Sequence, residues 1–561
     1  MFRPTNRQIS LLEPAFQLPE SQARRLRESW ADGFRQEVLP LLFEAENEFS
    51  ALYDEGQGRP NWSVARILGI LLLQEMLGYD DQSSLDSLCF DVRWQHALGI
   101  AMDEGYLSRR SLVDFRSRLV GRDAQMSAIR QLFESIAASA VSSLSISTKE
   151  QRLDSTLITS NIFTRGRVEL FRKTILQFLN ELSKTQLKKI KQLPQSTQSW
   201  FSKTKKTNWF GGLNAQKTKQ TLLELAKIAY DITETFKGDE DVDNLESYQL
   251  VARVLEEHCE FTTDKSSTDS SSKGDGGKGS GSSQSDEALI KVLKQAKKPG
   301  QSLQSPYDPD AGCGHKGPGY SLQVTETCHN RDVGTEVITD YDVTSAEVSD
   351  RHKDAEVLSR LIESGHQPEV LYADGGYTTG QGLIDSKARG TELIAPVSRG
   401  RLSTETIGRD QFSFNADGDR CIKCPKGHSP SRHDLRTTGK NHPPSLHAYF
   451  DGATCRSCPL LSRCIVRAPN SGKKGSFHLE VGAHLLERDK ALTLQKEPPW
   501  RERYKIRSGI EATMSELKRA HGIGKLRVRR MARVKLAVGL KICACNIKRW
   551  LRASSLRLAV Q

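Results

Sequence analysis

The stretch Arg152-Leu153-Asp154-Ser155-Thr156-Leu157-Ile158-Thr159-Ser160 decides the fold class. It alternates and is rich in β-branched residues, the pattern of a half-buried strand. The chain before it is predicted to be helical. Arg66, Ile67, Ile70, Leu71 and Met76 lie in one helical run, and Gly78-Tyr79-Asp80-Asp81 is a turn. Further runs follow at 85–90, 111–119 and 126–141. Short helices parted by tight polar turns suit a helix-turn-helix module; an ordinary helical domain has the same pattern.

After that strand, helical periodicity returns over 167–258. Phe171, Ile175, Phe178 and Leu182 step by four, three and four, and more helices are predicted over 221–236 and 245–258. Residues 262–286 are Ser/Gly/Asp/Lys low complexity, which reads as a flexible linker. Strands resume after Pro306. Residues 319–327 and 335–344, with a turn region at 330–334, predict an antiparallel hairpin. A helix over 354–364 precedes a short apolar strand, Pro368-Glu369-Val370-Leu371-Tyr372-Ala373-Asp374, which ends at Gly375-Gly376. The expected class is α/β, a mixed sheet flanked by helices behind an all-α N-terminal domain.

Three carboxylates stand out. Asp154 lies in the first strand, and Asp374 at the carboxyl end of a later one, where sites form in open α/β sheets. Two glycines beside Asp374 would let backbone or phosphate approach. The third is Glu511, in Tyr504-Lys505-Ile506-Arg507-Ser508-Gly509-Ile510-Glu511, with Lys518 seven residues on. Spacings of three, four and seven put Tyr504, Arg507, Glu511 and Lys518 on one stripe of a single predicted helix. Ile510, Met514 and Leu517 would bury the flank beside it. Each motif alone has a plain reading: a local cap, a turn, a solvated helix face. Together they suit phosphodiester chemistry, in which carboxylates hold divalent metal against a phosphate.

With these motifs the chain resembles bacterial insertion-sequence transposases of the DDE type, whose catalytic domain is RNase H-like. Leu153-Asp154-Ser155-Thr156, Tyr372-Ala373-Asp374-Gly375-Gly376-Tyr377 and the Tyr504–Arg507–Glu511–Lys518 series carry the resemblance, together with Ser305-Pro306-Tyr307-Asp308-Pro309-Asp310-Ala311 and Lys316-Gly317-Pro318-Gly319-Tyr320. It implies that Asp154, Asp374 and Glu511 are catalytic and hold Mg²⁺ or Mn²⁺. It implies that Tyr504 and Arg507 contact the terminal phosphate or an unstacked base, and that Lys518 contacts DNA near the cut. The implied substrates are the element's terminal inverted repeats and target DNA, cleaved and joined in a synaptic homodimer. A non-catalytic DNA-binding descendant and an RNase H-like nuclease that cuts without joining are the alternatives.

Between the second and third acids lie Cys421-Ile422-Lys423-Cys424 and Cys455-Arg456-Ser457-Cys458. Two such knuckles can hold zinc tetrahedrally, with Cys464 and His428 as alternate ligands. Their separation exceeds the usual ribbon spacing of about 15–20 residues. Cys543 and Cys545 are expected to be packing residues. The domain expectation is therefore 1–147 helical and DNA-binding; 148–166, 300–400 and 490–561 the RNase H-like catalytic domain; 167–299 a helical insertion ending in the linker; and 401–489 a Cys-rich zinc insertion.

Charge supports a polyanion partner. The whole chain carries +12, yet residues 501–561 hold 17 Lys and Arg against three Glu, a net of +14. This tail alternates apolar residues with its charges (Met531, Val534, Leu536, Leu540), so an amphipathic terminal helix is predicted. Residues 1–16 lack the apolar core of a signal peptide, and the longest apolar run, Ile67 to Leu73, is too short to span a bilayer. A cytoplasmic, nucleoid-associated protein is expected. Eleven cysteines in such a chain argue for thiols or metal over a disulfide framework.

Overall fold

The computed structural model describes residues 2–53, 61–159, 166–204, 215–262, 289–351, 353–398, 406–415, 420–436, 445–469 and 475–560. Its centre is a mixed sheet built from β1 (Glu150–Ile158), β2 (Gly317–Thr327), β3 (Ile338–Ser345), β4 (Val370–Ala373) and β5 (Glu392–Ile394), in the order β3-β2-β1-β4-β5. A short strand, Gly312–Gly314, also pairs with β2. β2 runs antiparallel to β1 and to β3, whereas β4 and β5 run parallel to β1. The expected strand, hairpin and later strand are all present. The parallel β4 is reached through the helix Lys353–Glu363, the kind of crossover that a parallel pair requires.

Alternation along β1 divides its side chains between two faces. Leu153 packs with Val357, Leu358 and Leu361 of the crossover helix and with Leu371, Ala373 and Tyr377. On the opposite face Ile158 joins a much larger core. That core runs from Leu26 through the N-terminal helices, takes in Tyr320, Leu322 and Val324 of β2, and includes the terminal helix Met531–Val560. The N-terminal region is helical as expected, with helices Val64–Leu77, Asp81–Phe90, Arg109–Arg122 and Ser127–Ser143. Its core is continuous with that of the sheet. Arg130, on the last of these helices, pairs with the buried Asp340 of β3, which also binds Arg360 of the crossover helix.

The terminal helix departs from expectation. It is no surface element with one apolar stripe, because Val534, Val538, Ile542, Cys543, Ala544, Cys545, Asn546, Ile547 and Trp550 are all buried. It packs between the N-terminal helices and β3. Its start is capped from elsewhere. Asp308 accepts the Arg530 N–H (2.8 Å) and Asp310 accepts the Met531 N–H (2.8 Å), so two acids of the Asp308-Pro309-Asp310 segment satisfy amide donors at the helix N-terminus.

Two insertions have their own cores. Helices Arg167–Thr185, Ala215–Thr235 and Glu246–His258 pack around Phe171, Phe178, Leu225 and Val251. The strand pair Cys259–Thr262 and Leu289–Val292, absent from the sequence expectation, closes this unit. The predicted linker at 262–286 falls, after Thr262, outside the described residues. The second insertion is a three-stranded antiparallel sheet, Arg432–Arg436, Ser445–Phe450 and Phe477–Gly482, with a small core of Leu446, Ala448, Phe450, Leu479 and Val481. The helix Ala483–Leu494 then returns the chain to the main body by packing on Gly380–Ala388. There a Cβ on Gly380 would lie 1.8 Å from the His484 carbonyl oxygen.

Candidate active site

The register of the parallel pair brings the first two acids together. Leu153 pairs with Ala373, so Asp154 and Asp374 are the next residues on neighbouring parallel strands, on one face. Glu511 opens the helix Ile510–Arg519, which packs on β1. The predicted flank is buried: Ile510, Met514 and Leu517 all enter the core. The single long helix is not found. The segment runs as Pro498–Tyr504, then a 3₁₀ stretch Lys505–Gly509, then Ile510–Arg519. The tighter winding there changes the angular spacing, so the four side chains do not form one straight stripe.

Arg507 lies between the acids. Its Nη2 is 2.7 Å from Asp154 Oδ2 and its Nη1 is 3.7 Å from Glu511 Oε1. Asp154 and Arg507 are largely buried, whereas the Glu511 side chain is 70% exposed. Among the described residues the three carboxylates are not a group whose oxygens all lie within 4.8 Å of one another. Burial pushes the Asp154 carboxyl above its usual range, Arg507 and Lys316 pull it back, and the neighbouring Asp374 adds to the upward push. The guanidinium of Arg507 responds in the opposite sense: burial weakens its charged form, but Asp154, Tyr504 and Asp374 leave it held more firmly protonated than usual.

Tyr504 turns inward. Its hydroxyl donates to the Ala373 carbonyl (3.2 Å), and its ring stacks on Trp500 with centroids 5.0 Å apart. It braces the residue before Asp374. Lys518 is exposed at the far end of its helix. Gly375 has a packing role, since a Cβ there would lie 2.9 Å from the Pro396 carbonyl oxygen, while Gly376 has ordinary room.

Other residues near the acids have no role assigned from the sequence, although Ser155 and Lys316 lie in the quoted motifs and Asp350 in none. Ser155 Oγ donates to Asp350 Oδ2 (2.7 Å), and the Lys316 ammonium donates to the Ser155 carbonyl (2.9 Å). These residues line a cleft of about 220 Å³ with His315 and Gly376. Beneath the site is a buried charge network. Glu326 of β2 accepts from Arg152 Nε (2.8 Å), from Thr513 Oγ1 (2.5 Å) and from Arg549 Nη1 (3.2 Å). Arg152 also donates to the Ile506 carbonyl (3.1 Å), and a Cβ on Gly509 would sit 1.8 Å from its Nη1. The 3₁₀ turn is thus fastened to β1 through an arginine two residues from Asp154. The sequence carried no signal for this: no spacing rule detects the pairing of a strand arginine with a glutamate on the neighbouring strand.

In the Cys-rich insertion the structure regroups the thiols. Cys424, Cys455, Cys458 and Cys464 line one cavity of about 180 Å³ together with His428. Cys421 does not line it; it is 2% exposed within the local core, and its Sγ lies 3.9 Å from the Lys423 carbonyl oxygen. Among the described residues, no three of these ligand atoms lie within 4.8 Å of one another.

Comparison with known proteins gives two family matches. Residues 423–551 match the family model described as Transposase DDE domain, and residues 28–118 match Transposase domain (DUF772). No curated protein and no solved structure matches the chain. The first match spans the four cavity-lining cysteines, Glu511, Lys518 and most of the terminal helix; Asp154 and Asp374 lie outside it. The second covers Val64–Leu77, which packs against that terminal helix, but not Ser127–Ser143, which packs against it as well. Both ends of one continuous core thus carry transposase models, and the two matches support an insertion-sequence DDE transposase.

Proposed function

We propose that this transposase cuts the phosphodiester at its element's ends and joins the freed 3′-hydroxyl to target DNA, using Asp154, Asp374 and Glu511 as its acidic triad. The observation that carries the reading is the β1–β4 register, which sets Asp154 beside Asp374 while Arg507 links Asp154 to the Glu511 helix. The strand order β3-β2-β1-β4-β5, with only β2 antiparallel to its neighbours, is what an RNase H-like sheet requires and supports that fold.

The donor set fits Mg²⁺ or Mn²⁺: three carboxylates and no thiol, with two acids adjacent and Asp154 already under pressure from Asp374. Bound there, the metal would activate the attacking oxygen and stabilise the leaving one. The protein's own groups do the rest. Arg507 neutralises and orients Asp154. Tyr504 fixes the strand end that presents Asp374. Lys518, exposed two turns beyond Glu511, reaches for a backbone phosphate, and Lys316 holds the backbone beside Asp154 through Ser155. Hydrolysis and joining are both in-line displacements at phosphorus, so one site serves both without a covalent enzyme intermediate.

The division into a helical DNA-binding module, a split catalytic domain and two insertions follows the same reading, as do double-stranded DNA as partner and a synaptic homodimer. In the second insertion, zinc would be held by Cys424, Cys455, Cys458 and Cys464, after side-chain rotation draws the thiols together. Elemental analysis decides this: Cys455→Ser should lose that zinc and Cys421→Ser keep it, whereas loss of the zinc in both variants restores the two-knuckle set.

The site itself is tested by Glu511→Gln. With labelled element ends, the variant should lose Mg²⁺-dependent cleavage by at least about a thousandfold while still shifting the same DNA, a loss typical of removing a preorganised catalytic group. Cleavage at the wild-type rate removes Glu511 from the site. Wild-type cleavage without any joined product favours the nuclease reading.

A further inference from the structure

Glu516, His521 and Cys545 take no part in the site above. Glu516 lies on the helix Ile510–Arg519, His521 follows that helix, and Cys545 lies midway along the terminal helix. One ligand atom from each, a carboxylate oxygen, a ring nitrogen and a sulfur, falls within 4.8 Å of the other two. His521 is only 3% exposed, and neither of its ring nitrogens makes a well-aligned hydrogen bond among the described residues, although the backbone of Glu75 lies near one of them. A buried imidazole normally satisfies both nitrogens; with the Glu75 backbone near one of them, the other asks for an occupant. Cys545 is fully buried. Arg549 donates to Glu516 at 2.7 and 3.1 Å, but both bonds land on Oε2 and neither uses Oε1.

We propose that Glu516, His521 and Cys545 form a binding site for a zinc-type divalent cation, separate from the acidic triad and from the Cys-rich insertion. The mixed sulfur, nitrogen and oxygen set suits zinc, and the thiolate argues against Mg²⁺ or Ca²⁺. Bond lengths of about 2.0–2.3 Å place tetrahedral ligand atoms roughly 3.3–3.8 Å apart, which small side-chain rotations reach from this arrangement. A fourth position is left for water. The charges balance locally: thiolate and Glu516 offset the cation, while Arg549 also meets Glu326 and Lys541 is paired with Glu75. The metal would pin the helix that carries Glu511 to the terminal helix, and through it to the N-terminal module. No motif spacing signals the site, because its ligands come from two helices and the segment between them folded together.

The test uses the full chain, stripped with chelator and titrated with Co²⁺ alone, read by the near-ultraviolet thiolate-to-cobalt charge-transfer band. A Cys424→Ser/Cys455→Ser background removes the insertion's contribution. One equivalent of thiolate-bound cobalt should remain in that background and vanish when either Cys545→Ser or His521→Asn is added. Zn²⁺ should also raise the Tm of the background protein and leave that of the His521→Asn form unchanged. A band that survives both substitutions overturns the site. So does a folded background protein that takes up no thiolate-bound cobalt, a result that needs no change to the three ligands.

Discussion

Arg152 and Gly509 show how single residues set the site. The arginine is buried between Glu326 and the Ile506 carbonyl, and the glycine exists to make room for it. Any side chain at 509 would push the guanidinium away, releasing the 3₁₀ turn that carries Arg507. Arg549 is more costly to lose, because it serves Glu326, Glu516 and Thr513 at once. Arg549→Met should destabilise the protein by about 3 kcal/mol, the lower end of the usual cost of breaking a buried ion pair, because Glu326 is buried but Glu516 is partly exposed. A Tm or denaturant midpoint within error of wild type would show that the network contributes little. None of these partners could be inferred from sequence. Asp154, Asp374 and Glu511 could be singled out as candidates, because each stands at a recognisable place in its strand or helix.

Among elements, the helical insertion carries its own acid sensitivity. His258 ends the helix Glu246–His258 with both ring nitrogens unpartnered and its ring against Phe171. Burial holds its pKa down to about 4, with Arg167 adding to the effect. The unfolded chain therefore takes up a proton first. Stability contributed at neutral pH is lost as pH falls from about 6.5 toward about 4. Thermal melts across that range should show a falling Tm, and His258→Phe should flatten the slope; an unchanged slope would assign the acid sensitivity elsewhere. Helix periodicity located this element well, since Phe171, Ile175, Phe178 and Leu182 are all buried as their spacing requires. Periodicity failed at 505–509, because a 3₁₀ turn and an α-helix share the same residue types and are separated by what they pack on.

Across the molecule, the basic C-terminal segment is divided in two. Much of its helix is interior, although Lys548 and Arg552 are exposed on it, and a cluster of exposed cations precedes and opens the helix: Lys518, Arg519, Lys525, Arg527 and Arg533. Gly524 and Leu526 hydrogen-bond to Thr159 at the end of β1, so this basic loop extends from the strand that bears Asp154. If these five cations meet phosphates, the slope of log affinity against log salt should be about −4 to −5. Lys525→Ala with Arg527→Ala should lower its magnitude by about two. A flat salt dependence would remove this loop from the DNA interface.

The sequence alone determined the class of the molecule. Alternation, helical period and the order of three acids specify strands, helices and a family, because these are local properties of the chain. The tertiary structure decided which charges meet. It drew most of the amphipathic terminal helix into the core, placed Arg507 between two acids and Arg152 beneath them, and excluded Cys421 from the thiol cavity. It also gathered Glu516, His521 and Cys545 from separate stretches. The physical reason is that burial and charge pairing depend on non-local packing, and no spacing along one chain encodes which distant side chain will share a low-dielectric pocket.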